Sequence, residues 1–366
     1  MSKPHIVIIS PALANANNGN WQTAWRWSRF LRKDYRITLA VQWDGIECDA
    51  MIALHARRSA TSIAAFSATC PALPLIVVLT GTDLYKDIFT NADAQRSLQL
   101  ATRLVVLQPA GLPVLDKNLR TKTYVIYQSA PSLKPLNKNP AKLPRYFDVT
   151  MIGHLRAEKD PVTFMNAAKL LNTDNPLGEN AVVGARLIGR LTVNNRPMNR
   201  APTLAGLARP KSTNVRLIHI GNALDPVLGK HAEQTQQRYH HYRWLGNLSH
   251  AATRQRLKRS HLMVITSKME GGANVIIEAV TSGVPVLASD IPGNRGMLGE
   301  NYAGYFPLGD SLKLAHLIDR AASDTKFYSR LQAQCAARAP LFSPERERAA
   351  LLKLVDNCIS QMEKHS

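Results

Sequence analysis

The run from Ser267 to Gly304, SKMEGGANVIIEAVTSGVPVLASDIPGNRGMLGENYAG, decides how the chain folds. It reads as turn, helix, turn, buried strand, turn. Glu270 stands before two glycines. An apolar helix begins near Ala273 and carries a second acid, Glu278, eight residues after the first. Gly283 stops that helix, and Val284 to Ala288 form a short strand. A glycine-rich turn at a helix start offers free N–H groups and the positive end of the helix dipole, both suited to a phosphate. Carboxylates accept hydrogen bonds from sugar hydroxyls and have little use for phosphates. Acids flanking an amide-rich turn therefore point to a ligand with both hydroxyls and phosphates, a nucleotide sugar.

Upstream, continuous apolar runs alternate with helical stretches. His5–Ser10 reads as a central parallel strand covered on both faces. A loop, PALANANNGN, leads into a helix from about Trp21 to Lys33, and strands follow at Arg36–Gln42, Ala50–Leu54, Leu75–Leu79, Leu104–Leu107 and Tyr124–Tyr127. Such alternation indicates a doubly wound α/β sheet, whose ligands bind outside the carboxyl ends of the strands. The loops at Pro11–Asn20, His55–Arg58 and Thr80–Tyr85 then share one edge. PSLKPLNKNPAKLP (Pro131–Pro144), with four prolines and three lysines, is the linker candidate. A second alternation follows: Val149–Ile152, helix Val162–Leu171, strand Val215–Ile220, a helix near Ala232–Tyr239, strand Tyr242–Leu245, helix His250–Arg259 and strand Leu262–Thr266. Thr173–Asn214 reads as a mostly irregular insertion with a possible strand at Ala185–Ile188 and six basic residues against two acids. The expected division is 1–145, 146–342 and a C-terminal helix, 343–366, crossing back to the first domain.

With 366 residues the chain suits two α/β domains. The balance of 46 Lys+Arg against 26 Asp+Glu, net +20, favours anionic partners, although a basic solvated surface is the commoner meaning of charge alone. No RNA-binding motif, basic recognition helix or aromatic stacking sheet argues for nucleic acid. Four scattered cysteines without metal spacing fit a reduced, cytoplasmic setting. The apolar run Ile6–Ile9 is a strand's length and is read as a strand, not an export signal, and no run reaches the roughly 20 residues that span a bilayer. No D-x-D occurs and the histidines do not cluster at ligand spacing, so neither a metal nor another cofactor is expected.

Two Rossmann-like halves, with Glu270-x7-Glu278 set in EGGANVIIEA and followed by SGVPVLAS, resemble the GT-B glycosyltransferases of the large retaining family 4. Paired acids at helical spacing are usually solvated; the glycine turn and the strand that follow set this pair apart. GNWQTAWRW (Gly19–Trp27), LTGTDLY (Leu79–Tyr85), GHLRAEKDP (Gly153–Pro161) and EGGANVIIEAV together resemble, within that family, the selenosugar synthases of selenoneine biosynthesis. The resemblance implies two facing domains, a UDP-sugar donor (UDP-N-acetylglucosamine expected) and selenophosphate as acceptor. Glu278 would bind the ribose hydroxyls and Glu270 the hydroxyls of the transferred sugar. Ser267 and the amides around Gly271, Gly272, Ala273, Asn274 and Val275 would complete the donor site. A plain tight turn is the commoner meaning of two glycines alone, and Asn274 suits a helix start equally well. In GHLRAEKDP, Lys159 matches the family cation for the diphosphate, but His154 stands where the family places Arg. Arg156 is expected to replace it, against the alternative of a surface pair with Glu158 or Asp160. Glu270, Arg156 and Lys159 are the expected catalytic set.

The acceptor is expected on the first domain's edge, at Gly19, Asn20, Thr23, His55 and Thr82. Trp21 and Trp25, spaced i, i+4, are more often core packing than a ligand platform. Selenophosphate is already anionic at selenium and needs positioning, whereas a sugar hydroxyl benefits from a general base. Three competing readings stand beside this one: an ordinary family 4 transferase with a carbohydrate or lipid acceptor, a UDP-sugar epimerase, and binding of nucleic acid by charge alone.

Overall fold

The computed structural model describes residues 3–12, 19–134, 146–171 and 214–363. Most of Pro131–Pro144 and nearly all of the basic insertion, with its possible strand at Ala185–Ile188, lie outside the described residues.

The apolar runs form two six-stranded, all-parallel sheets. The first comprises β1 (His5–Ile9), β2 (Arg36–Ala40), β3 (Ala50–Leu54), β4 (Leu75–Leu79), β5 (Arg103–Val106) and β6 (Thr123–Val125), in the order β2-β1-β3-β4-β5-β6. The second comprises β7 (Phe147–Ile152), β8 (Val215–Ile220), β9 (Tyr242–Trp244), β10 (Leu262–Ile265), β11 (Val286–Ser289) and β12 (Tyr305–Phe306), in the order β12-β11-β10-β7-β8-β9. Strands β1, β3 and β4 are buried at every position, as helices on both faces require. Each sheet reverses its order once, between β1 and β3 in the first and between β7 and β10 in the second. At such reversals neighbouring loops diverge and leave a crevice for ligand.

The C-terminal helix Pro344–Glu363 packs on the first sheet's core: Leu351, Leu354, Val355 and Cys358 lie in one cluster with Ile6, Ile8 and Trp27. Its Glu347, 1% exposed, accepts from Arg26 Nε (2.7 Å), an Arg26 terminal nitrogen (3.0 Å), Trp27 Nε1 (2.7 Å) and the Ser129 hydroxyl.

Several sequence expectations shift. The last part of the opening run, read as a turn, contains a helix, Pro292–Leu298, and β12, which no expected strand covered, follows directly after the run. The first helix begins at Gly19, two residues earlier than expected. The helix expected near Ala232 starts at Pro226, with Asp225 capping Val227 N–H at 2.9 Å. Trp21 and Trp25 are not core: they stack on each other at 5.6 Å, and Trp25 is 39% exposed.

Candidate active site

The two motifs that flank the reversal of the second sheet come from its two neighbouring strands. GHLRAEKDP leaves the end of β7, and SKMEGGAN leaves the end of β10. One backbone bond and one side-chain bond fasten one to the other: Lys268 N–H donates to Glu158 O (2.9 Å), and the Thr266 hydroxyl to Lys159 O (2.7 Å). Asp160 adopts a left-handed conformation (φ 43°) so that the chain can turn into the helix Pro161–Leu170. Non-glycine residues hold such strain where the surroundings enforce it, frequently at functional sites.

This fastening brings Lys159 against Glu270, an ion pair between the expected diphosphate cation and the expected sugar-binding acid. An ammonium has three donors, so the pair leaves Lys159 able to serve a second anion. Arg156 lies in the same turn with its side chain nearly half exposed. Its Nε is 4.0 Å from Glu158 Oε2, beyond hydrogen-bond range, and has no hydrogen-bond partner among the described residues. His154 Nδ1 accepts the Asn222 N–H at 3.0 Å, which leaves Nε2 as the donor of the neutral ring. Burial first, then the nearby Arg156 and Lys159 charges, hold the His154 imidazole below its usual pKa.

The helix Asn274–Val280 has Ala273 at its cap position and no side-chain cap, so Asn274 is the first helical residue and not the cap. Glu278 on this helix is buried, and its Oε1 receives His250 Nε2 at 2.7 Å. Ser267 is buried, with a hydroxyl that has no hydrogen-bond partner among the described residues.

Gly271 and Gly272 serve a purpose the sequence did not disclose. A Cβ on Gly271 would lie 2.4 Å from the Thr80 carbonyl oxygen, and one on Gly272 would lie 2.6 Å from Leu107 Cβ. The glycine turn is where the second lobe touches the first. Gly19, opening the first helix, stands opposite Asn274: a Cβ there would be 3.4 Å from Asn274 Nδ2. Two helix starts therefore face one another across the lobes. A cleft of about 220 Å3 is lined by Tyr85 from the first lobe and by Lys268, Glu270 and Pro292 from the second. A larger cavity, about 540 Å3, lies where the chain crosses between lobes, lined by Pro131, Thr281 and Phe342 among others, and contains none of the expected site residues.

On the first lobe, His55 follows β3 in a left-handed conformation (φ 73°). Its Nδ1 accepts the Arg58 N–H (3.3 Å), so Nε2 donates to the Thr82 hydroxyl oxygen (3.0 Å). Burial is the main cause that keeps this ring's pKa low. Asp83 uses Oδ1 on the amides of Thr80 (2.9 Å) and Gly81 (2.8 Å), and Oδ2 on that of Ala56 (3.0 Å). Gly19, Asn20, His55 and Thr82 thus share the carboxyl edge of the first sheet. Thr23 does not join them: it is buried, donating to Gly19 O at 2.8 Å and accepting from Gln128, and it braces the helix from beneath. The sequence reading missed His250, Gln108 and Gln128. Each acts through a partner remote in sequence, and no local pattern announces it.

The architecture is that of the GT-B glycosyltransferases, two Rossmann-like halves with their strand ends turned to one cleft. The chain belongs to the family of glycosyl transferases group 1, whose model matches residues 135–338. A stretch of 94 residues is 34% identical to glycosyltransferase 1 domain-containing protein 1 of Xenopus tropicalis; it covers 26% of this chain and 27% of that relative's length. Among solved structures, sucrose-phosphate synthase of Thermosynechococcus elongatus superposes with a TM-score of 0.69 at 15% identity, covering 100% of both chains. HepE of Anabaena, solved in complex with UDP and glucose, superposes with a TM-score of 0.68 at 15% identity, covering 97% of this chain and 100% of its own.

Proposed function

We propose that this transferase joins a UDP-sugar, with UDP-N-acetylglucosamine as the first candidate, to selenophosphate, making a carbon–selenium bond on the way to selenoneine. The donor lies in the second lobe (146–342). Arg156, Lys159 and the amides of Gly271–Val275 hold the diphosphate with Ser267 beneath them, Glu270 takes sugar hydroxyls, and Glu278 takes the ribose. The acceptor lies on the first lobe (1–145), at Gly19, Asn20, His55 and Thr82, and the helix at 343–366 ties back to that lobe.

The observation that carries the acceptor assignment is how polar groups are used on the first lobe's edge. Both Asp83 oxygens are spent on backbone amides, His55 is a donor toward Thr82, and Asp87 lies against Arg57 at 3.0 Å. What remains toward the cleft among the described residues is a set of donors: the Thr82 hydroxyl and the first amides of a helix. Donors suit an acceptor that arrives as an anion; Asp87, whose buried Oδ2 makes no hydrogen bond among the described residues, is held as the counter-charge of Arg57 and is not placed as a base for an alcohol. A selenium lone pair attacks the anomeric carbon, the carbon–oxygen bond breaks, and UDP departs with its electron pair. Arg156, Lys159 and the helix-start amides stabilise the departing charge. Water then cleaves the phosphorus–selenium bond, releasing phosphate and leaving the selenol.

Incubation with a panel of UDP-sugars, with and without selenophosphate, tests this by following UDP and product masses. Selenophosphate-dependent UDP release with a selenium-containing product is expected. Turnover with an alcohol acceptor and none with selenophosphate would establish an ordinary carbohydrate or lipid transferase instead. Conversion of donor without any acceptor would establish an epimerase.

A further inference from the structure

We infer that His250 is a positioning residue for the ribose end of the donor site, holding one oxygen of Glu278 so that the other is turned to the vicinal hydroxyls. The inference rests on the donor reading above, in which Glu278 receives the ribose.

Glu278 is 9% exposed, and a carboxylate so placed needs hydrogen-bond donors. Among the described residues its partner is His250, whose Nε2 lies 2.7 Å from Oε1. An ionised carboxylate only accepts, so the imidazole donates. Oε2 has no hydrogen-bond partner among the described residues and remains for a ligand.

The donor is itself held in place. His250 is the first residue of the helix His250–Arg259, which Ser249 caps through the Ala252 N–H at 3.3 Å. Arg254 on the next turn donates to Pro131 O at 2.6 Å, fixing the helix to the chain's crossing between lobes. With its side chain 46% exposed, His250 is not a core histidine packed for volume. A carboxylate with one oxygen fixed has lost rotational freedom before ligand arrives, and such preorganisation strengthens binding without a new contact to the ligand. The effect is confined to the hydroxyls that Glu278 meets.

Calorimetric titration of UDP, 2′-deoxy-UDP and 3′-deoxy-UDP into the full chain and its His250→Ala and His250→Gln variants isolates that effect. The wild-type protein is expected to favour UDP over either deoxy compound by about tenfold or more, as for hydrogen bonds to a charged acceptor. In His250→Ala, UDP should weaken by about fivefold and each deoxy compound, which keeps one of the two hydroxyls, by distinctly less, narrowing the ratio. His250→Gln, whose amide still donates, should restore part of it. Equal weakening toward all three ligands would mean a merely structural role and overturn the inference. Unchanged affinities would reduce the pair to a surface contact and overturn it too. A wild-type protein indifferent to the ribose hydroxyls would remove both this inference and the Glu278 assignment, a failure recognisable before any variant is made.

Discussion

Glu278 and His219 make the residue-scale case. Glu278→Ala removes the buried acid assigned to the ribose, and UDP affinity should fall by about ten- to hundredfold, the loss of hydrogen bonds to a charged acceptor. Calorimetry on the purified variant checks it; near-normal affinity would remove the ribose role. His219 acts from below. It is fully buried, with Nε2 donating to the Gly153 carbonyl at 3.2 Å and Nδ1 accepting from the Tyr242 hydroxyl at 2.9 Å. A neutral ring is therefore satisfied on both sides beneath the first residue of the GHLRAEKDP turn. Burial pushes its pKa down to about 4 from 6.5. Because the folded value lies below the unfolded one, the unfolded chain takes up the proton first as pH drops. The stability contributed by neutral His219 is complete above pH 6.5 and is lost as pH falls toward 4. The loss is on the order of 3 kcal/mol across that window. Urea unfolding at pH 7 and pH 4.5 should show a smaller acid-induced decrease in His219→Gln than in the wild-type protein; equal decreases would contradict the account.

At the scale of elements, the C-terminal helix depends on one carboxylate. Replacing Glu347 by Ala leaves the Arg26 guanidinium, the Trp27 indole N–H and the Ser129 hydroxyl without their acceptor. Breaking a buried pair on one side costs about 3–5 kcal/mol, chiefly through the charge left behind. Glu347→Ala should therefore raise amide exchange across Pro344–Glu363 and lower the urea midpoint. Adding Arg26→Met should recover part of the loss, because the orphaned charge goes with it; no recovery would locate the cost elsewhere. The same pair shows where sequence reading ends. Strands β1, β3, β4 and β10 are almost wholly apolar runs, and turn chemistry separates them, so both sheets were legible except for the two-residue edge strand β12. So were the acids and cations of the two loops at the second sheet's reversal, since each motif sits within ten residues of a strand end. Glu347 is 321 residues from Arg26, Glu278 is 28 from His250, and Gln128 is 105 from Thr23. Such pairs are made by the fold and leave no periodic trace. The helix Pro292–Leu298 escaped for another reason. Gly293 and Gly296 lower its intrinsic helicity, and the contacts that sustain it come from the other parts of the structure those glycines approach.

For the molecule as a whole, Gly296 and Gly271 set how closely the lobes meet. A Cβ on Gly296 would fall 1.8 Å from Gln108 Oε1, and one on Gly271 would fall 2.4 Å from the Thr80 carbonyl oxygen. The distances invite the conclusion that Gly296→Ala is the worse change, yet the physical obstacles differ. Gln108 is a side chain that can swing aside, giving up its bonds to Ala110 N–H and the Tyr85 hydroxyl, both 2.7 Å. Thr80 is backbone, bound through its amide to Asp83, whose second oxygen holds Ala56, so yielding there displaces the whole loop after β4. Gly271→Ala must therefore part the lobes, while Gly296→Ala needs only a rotamer change. Since the proposed reaction requires donor and acceptor from opposite lobes within bonding distance, a parting of even 1 Å is expected to cost about a hundredfold in turnover. Donor affinity, which the second lobe supplies, should change little. Gly271→Ala is thus expected to lower kcat about a hundredfold with UDP binding nearly intact and a larger radius of gyration by small-angle scattering. Gly296→Ala should lose less than tenfold and regain activity when Gln108→Ala is added. Equal losses in the two single variants, or failure of Gln108→Ala to rescue, would show that lobe contact at these glycines does not govern the reaction.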